Sequence, residues 1–326
     1  MQRRKFLNSA IKLGAASYIA SSHLGAMAQG KGPATTIAVG FSAGGSSDGV
    51  ARLIADQLAQ RTGRNFIIEN RVGANGRLAA DKVAQGGGDQ NLFLVSPFSS
   101  ILFASLTIPS WKIDIFNDLK PVANLTNYPL AIAVNPKIGL KNVRDLSAWL
   151  KNNPQKAVYG TSGLGGHNHL LGLALGQEIG VPLEVVAYKG NAPLVADMIG
   201  GHLPLAIGVA GDFVPFSKDI QILSVLTEKR YDLLPEIPTA KENGLNLSSG
   251  DAWYGMWASP KTPADQVKEI SRLVAEILAD QKVADQLKSK YFMTPGYLDD
   301  VQLDKRLRES KDYWQKIITE TGFKPT

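Results

Sequence analysis

Thr35-Thr36-Ile37-Ala38-Val39-Gly40 runs into Phe41-Ser42-Ala43-Gly44-Gly45-Ser46-Ser47, and then into Asp48-Gly49-Val50-Ala51-Arg52-Leu53-Ile54. The first block is a short β-rich run, the second a loop of small residues, and the third opens an amphipathic pattern. Val50, Leu53, Ile54 and Leu58 share one helical face, and Gly63 marks the stop. A strand feeding a helix through a glycine loop is the unit of an α/β fold.

Working outward, Phe66-Ile67-Ile68, Leu92–Val95, Leu130–Val134 and Val185–Ala187 read as further strands. Helical patterns intervene at Val143–Lys151, His169–Glu178 and Ala192–Ile199. The alternation predicts parallel-rich sheets flanked by helices. Helices over Ala264–Asp280 and Val301–Thr321 close the chain. Their stripes, Val267, Ile270, Leu273, Val274, Ile277 and Leu278, then Leu303, Leu307, Trp314 and Ile318, read as core faces.

With 326 residues, 44% apolar and 20% charged, the chain has the size of two domains and the composition of a globular protein. No cysteine is present, which excludes disulfides, thiolate zinc sites and a cysteine nucleophile. The net charge of +6 owes four units to Arg3, Arg4, Lys5 and Lys12 in an acid-free N-terminal stretch. The nearly balanced remainder gives no footprint for nucleic acid. Arg3-Arg4-Lys5-Phe6-Leu7, a small-residue apolar run and Ala26-Met27-Ala28 read as an export signal over residues 1–28 of twin-arginine type. A mature periplasmic chain starting at Gln29 is expected.

Three loops could carry function. Phe41 to Asp48 aims backbone N–H groups and a helix dipole at one point, which suits an anion or, equally, a capped turn. Gly45-Ser46-Ser47-Asp48-Gly49 also matches G-x-S-x-G, so a secreted serine hydrolase using Ser47 with Asp197 and His202 is an alternative. Against it, the motif lies on the first strand, with nothing upstream to supply an oxyanion loop. Tyr159 to His169 begins like a dinucleotide fingerprint, but Asn168 stands at the third glycine position, and no P-loop lysine is present. His167 and His169 diverge on a helix and have no third ligand, so no metal is expected; His169 is read as a hydrogen-bonding residue of the fold. In the third loop, Ala187 to Pro193, Lys189 could meet a carboxylate or simply face solvent. Donors abound in these loops and a general base is scarce, which suits holding an anion better than transforming one.

Those residues resemble the Bug family, the substrate-binding components of tripartite tricarboxylate transporters. The resemblance rests on Phe41-Ser42-Ala43-Gly44-Gly45 with Asp48, Glu69-Asn70-Arg71-Val72-Gly73-Ala74, and Tyr159-Gly160-Thr161-Ser162-Gly163 with His169-Leu170. Tyr188-Lys189-Gly190 with Ala192-Pro193, Ile237-Pro238-Thr239, Trp253-Tyr254-Gly255 and Pro260-Lys261-Thr262-Pro263 extend it. It implies a type II-like periplasmic-binding-protein fold, with residues 29–125 and 253–326 in one lobe and 126–252 in the other. Asn124–Tyr128 and Ser249–Trp253 would be the crossings.

By position, the resemblance assigns Phe41, Ser42, Ala43, Gly44, Gly45, Ser46 and Asp48 to one jaw of a carboxylate pinch. Thr161, Ser162, Gly163, Gly165 and His167 form the other jaw, Ser96, Phe98 and Ser99 a contact loop, and Tyr188, Lys189 and Ala192 the far side. Phe98, Tyr188 and Trp253 would give an apolar wall. A monomeric receptor follows, without cofactor or catalysis, that hands a small organic carboxylate to membrane-embedded transporter subunits; a ligand-sensing partner of a membrane kinase is the other possibility. The chain departs from the family at Ser42, in place of proline, at Pro97-Phe98, and in the turn over residues 85–91. It also lacks an acid near Gly208-Val209, Asp212 being displaced, which predicts weaker recognition of an amino group.

Overall fold

The computed structural model describes residues 33–86, 91–250 and 252–321. The export segment and the 87–90 part of the departing turn lie outside the described residues.

Strand β1 (Thr35–Val39) is buried along nearly its whole length. Helix α1 (Ser46–Thr62) follows the small-residue loop and ends where Gly63 turns left-handed at φ 67°, its N–H returning to Ala59 O. Val50, Ile54 and Leu58 are fully buried, each worth roughly 1.5–3 kcal/mol relative to exposure. The chain continues through β2 (Phe66–Asn70), α2 (Arg77–Gln85), β3 (Leu92–Pro97), α3 (Phe98–Thr107) and β4 (Lys120–Tyr128).

After Tyr128-Pro129 it enters a second sheet with β5 (Leu130–Val134). There follow α4 (Arg144–Asn152), β6 (Val158–Thr161), α5 (His167–Ile179), β7 (Glu184–Ala187) and α6 (Asn191–Ile199). Next come β8 (Leu205–Val209), the single turn α7 (Ala210–Phe213) and β9 (Gln221–Val225). The chain then returns to the first sheet with β10 (Ala252–Ala258), α8 (Ala264–Ala279), α9 (Gln281–Tyr291), β11 (Thr294–Leu298) and α10 (Asp300–Thr321).

The first sheet has six strands in the order β11-β4-β10-β3-β1-β2, and the second has five in the order β7-β6-β8-β5-β9. Both are mixed rather than wholly parallel. β1 pairs parallel with β2 and β3, and β6 with β7 and β8, while β10 and β5 run antiparallel to both their neighbours. The strand leaving the first sheet and the strand returning to it, β4 and β10, lie side by side and pair Tyr128 with Ala252.

Burial follows position in the sheet. β3, β5, β8 and β10 are buried at every residue, whereas edge strands β2, β7 and β11 are half-exposed. The stripes of α8 and α10 are buried as core faces. No described helix is long and apolar enough to cross a membrane.

Candidate functional site: the cavity between the sheets

Four helices begin at the junction of the two sheets. α1, α5 and α6 are each preceded by a glycine (Gly45, Gly166 and Gly190) and α3 by Pro97, and no side chain caps any of them. Their dipoles favour a negative group at this junction; at α1 the Ser46 N–H already meets the Asp212 carboxyl. A cavity of about 40 Å³ lies among them, room for about three waters. Phe41, Ser42, Gly45, Ser46 and Ser99 line it from the first sheet's side, and Thr161, Ser162, Gly163, His167 and Asn191 from the second's. Gly45 and Gly163 thus face one cavity from opposite sides. None of the side chains that line it is charged.

The two sides touch directly. Ser42 N–H donates to Lys189 O (3.1 Å), and Ser46 Oγ donates to Asp212 Oδ1 (2.5 Å). Asn75, in the left-handed region at φ 53°, lays its amide over Gly163 and Gly166; a Cβ on Gly163 would lie 2.6 Å from Asn75 Oδ1. Gly163 itself has φ +152°, so a side chain there is strained twice over. Beyond Asn75 opens a second hollow of about 370 Å³, lined by Gly165, Tyr188, Lys189 and Arg77 among others.

His167 reaches from the second sheet's side into an aromatic cage on the first. It stacks on Phe103 and meets Phe98 and Trp314 edge-on, with 3% of its surface exposed. Burial pushes its pKa down to about 3 against a hydrogen bond to the Ser249 backbone, so the imidazole is neutral at pH 7. Its Nε2 has no hydrogen-bond partner. His169 turns inward, where Nδ1 accepts from Gly165 N–H and the backbone carbonyl accepts from Tyr159.

Several expected site residues lie elsewhere. Asp48 is buried, but its carboxylate folds back on its own loop, accepting from Gly44 N–H, Arg52 and Asn70. Burial alone would raise its pKa; those donors outweigh it and hold the carboxyl below its ordinary value. Ala43 and Gly44 are exposed on the outer side of the loop, and Ser96 donates to Pro97 O. Phe98 and Trp253 stack on each other at 4.9 Å behind the cavity rather than walling it. Ala192 sits at the rim opposite Gly45. Of the far-side residues, Tyr188 and Lys189 reach only the second hollow, and Tyr188 donates to Asp197 (2.6 Å).

Asp212, displaced from the Gly208-Val209 position, is not among the residues lining the cavity. α7 carries it behind the tips of α1 and α6, where it accepts from Ser46 and from Asn191 Nδ2 (2.5 Å). Gly211 permits this approach, since a Cβ there would lie 1.9 Å from Tyr291 O. Burial raises the Asp212 pKa, opposed by the hydrogen bonds from Ser46 and Asn191. Sequence reasoning missed Asn75, Tyr128, Asn168, Val209 and Tyr254, all of which line the cavity, as does Asn191 within the expected far-side run Lys189 to Ala192. The Gly73-Ala74-Asn75-Gly76 run carried a usable signal, because Asn between glycines favours a left-handed turn.

Residues 50–323 match the family model described as "Tripartite tricarboxylate transporter family receptor". A protein of Agrobacterium vitis encoded in the TAR-I ttuE-ttuC' intergenic region is 31% identical over 296 residues, covering 88% of this chain and 84% of that one. The R. palustris protein Rpa4515, solved with adipate, superposes with a TM-score of 0.83 at 28% identity, covering 90% of this chain and 98% of that one. The periplasmic binding protein BugD superposes with a TM-score of 0.82 at 25% identity, covering 89% and 98%. Two mixed sheets, a cavity between them and a family match over most of the chain agree: this protein belongs to the tripartite tricarboxylate transporter receptor family.

Proposed function

We propose that the chain captures a small organic carboxylate in the cavity between its two lobes and delivers it to membrane-embedded transporter subunits. The observation that carries this reading is the shared cavity of Gly45 and Gly163, ringed by four helix tips whose N-cap residues supply no side-chain cap. Uncharged donors and helix dipoles can hold an anion without the desolvation cost of a buried cation. The adipate in Rpa4515 supports the ligand class.

A ligand larger than a few waters needs the lobes to part and close again, with the paired β4 and β10 as the hinge. The receptor works as a monomer in the periplasm, exported on the segment ending at Ala28. It binds without catalysis. In support, Ser47 Oγ donates to Tyr254 (3.2 Å), Asp197 accepts from Tyr188, and His202 is exposed to solvent.

A thermal-shift series on the chain starting at Gln29, using mono- and dicarboxylates, neutral sugars and simple cations, tests the reading. Stabilisation by a carboxylate that is lost in Gly163→Val is expected. Stabilisation by sugars or cations alone contradicts it, as does labelling of Ser47 by a fluorophosphonate.

A further inference from the structure

Phe292 occupies a position made for glycine. It follows the last turn of α9 in the left-handed region at φ 53°, where helices commonly end on glycine and a bulky side chain is an outlier. The chain pins it there: Leu287 O accepts from the N–H groups of Phe292 and Met293. Met293 is fully buried, and its sulfur accepts from the Thr126 hydroxyl. A strained residue persists only where its surroundings over-determine it. α9 packs on α8 and α1, and β11 pairs with β4 of the first sheet. The Phe292 side chain nevertheless packs on a core cluster of the second sheet's side, which includes Leu194, Met198, Ala210, Phe213 and Val225.

Its neighbour grips both sides at once. The Tyr291 ring lies against Gly49 of α1 and the Tyr291 carbonyl against Gly211 of α7, and a Cβ on either glycine would collide with it. Gly49 stands three residues after Ser46, so the Tyr291 contact and the Ser46–Asp212 hydrogen bond fall on one face of α1 and on successive residues of α7. Ser46 lines the cavity, whereas Gly49, Gly211, Tyr291 and Phe292 do not. We propose that Tyr291-Phe292 is an interlobe latch, which holds the two lobes together through the chain's own contacts and sets how often they part. Parting them withdraws an aromatic side chain from the second sheet's core, and reclosure buries it again. A ligand therefore has to supply only the remainder of the bias toward the closed form. The latch rests on the lobes parting and not on the class of ligand.

Because the chain has no cysteine, Gln60→Cys on α1 and Ser217→Cys beyond α7, both exposed, can carry one spin label on each lobe. Pulsed electron–electron distance measurements on the labelled chain from Gln29, with no ligand added, should give one short distance. Phe292→Gly suits the left-handed turn and removes the wedge. It should raise the population at a longer distance by on the order of tenfold. Phe292→Leu, which keeps an apolar side chain, should fall between the two. Gly211→Ala, whose Cβ meets the Tyr291 carbonyl, should also lengthen the distance. Distances are read on folded protein, so a loss of stability alone does not reproduce the pattern. A long distance in the chain with Phe292 intact, or a distance unmoved by Phe292→Gly, overturns the latch and leaves the carboxylate reading standing. Failure of carboxylates to bind would overturn that reading and leave these distances as they are.

Discussion

The helix tips of α1 and α5 face each other across one cavity and are built in opposite ways. The loop before α1 is set by charges: Asp48 ties Gly44, Arg52 and Asn70 together, and Asp212 from the other sheet satisfies Ser46 at the tip itself. The loop before α5 carries no charge, only Thr161, Ser162, Leu164, glycines and a neutral histidine. An anion position already filled by the protein cannot serve a ligand. On the carboxylate reading proposed above, the contrast gives the two tips different duties, with α1 as the rigid wall and α5 as the seat.

The largest effect should come from breaking the seat. Gly163→Ala places a Cβ against Asn75 at a backbone angle that side chains avoid, whereas a Cβ on Gly45 meets nothing closer than 3.8 Å. The first substitution should abolish carboxylate binding in calorimetry and cost about 1–3 kcal/mol of stability. Gly45→Ala should leave both within about threefold and 0.5 kcal/mol. Equal effects would erase the distinction between the tips.

Next in size is the wall. Asp48→Ala should cost about 1–2 kcal/mol in urea unfolding at pH 7, with binding of the folded protein retained. The folded pKa of Asp48 lies below its unfolded value, so its contribution is present above the unfolded pKa and fades as pH falls through the folded one. Wild type and variant should therefore converge on acidification.

His167 should show the pH dependence of a histidine buried in its neutral form. With a folded pKa of about 3 and an unfolded one near 6.5, the unfolded chain binds the proton first. Stability therefore falls as pH drops from about 6.5 towards 3. His167→Phe, sized for the cage of Phe98, Phe103 and Trp314, should flatten part of that slope in unfolding curves taken at several pH values. The smallest effect is expected at Lys189, which is exposed and reaches only the second hollow. Lys189→Ala should change carboxylate affinity by less than about threefold.

Legibility in the sequence followed physical cause. The β1–loop–α1 unit was readable because its hydrophobic period changes from run to helix and Gly63 stops it. β10, Ala-Trp-Tyr-Gly-Met-Trp-Ala, was not, because it is buried on both faces and so shows no alternation. The resemblance places Gly163 in a jaw of the pinch, but nothing in the sequence shows that Asn75 is what approaches it. Asp48 drew attention as an acid beside a glycine loop; only the positions of Arg52 and Asn70 reveal that it serves the loop. Asp212 stands displaced from the Gly208-Val209 position; what the sequence does not show is that one helical turn after β8 brings it to Ser46 and Asn191.

A crystal structure of the chain with a carboxylate that binds it is the most direct check. The account predicts the ligand's carboxylate at the first turn of α5, bonded to the Thr161–Gly163 loop, with Asp212 still held by Ser46 and Asn191. A carboxylate seated on α1 with Asp212 displaced, or one bound outside the space between Gly45 and Gly163, would contradict it.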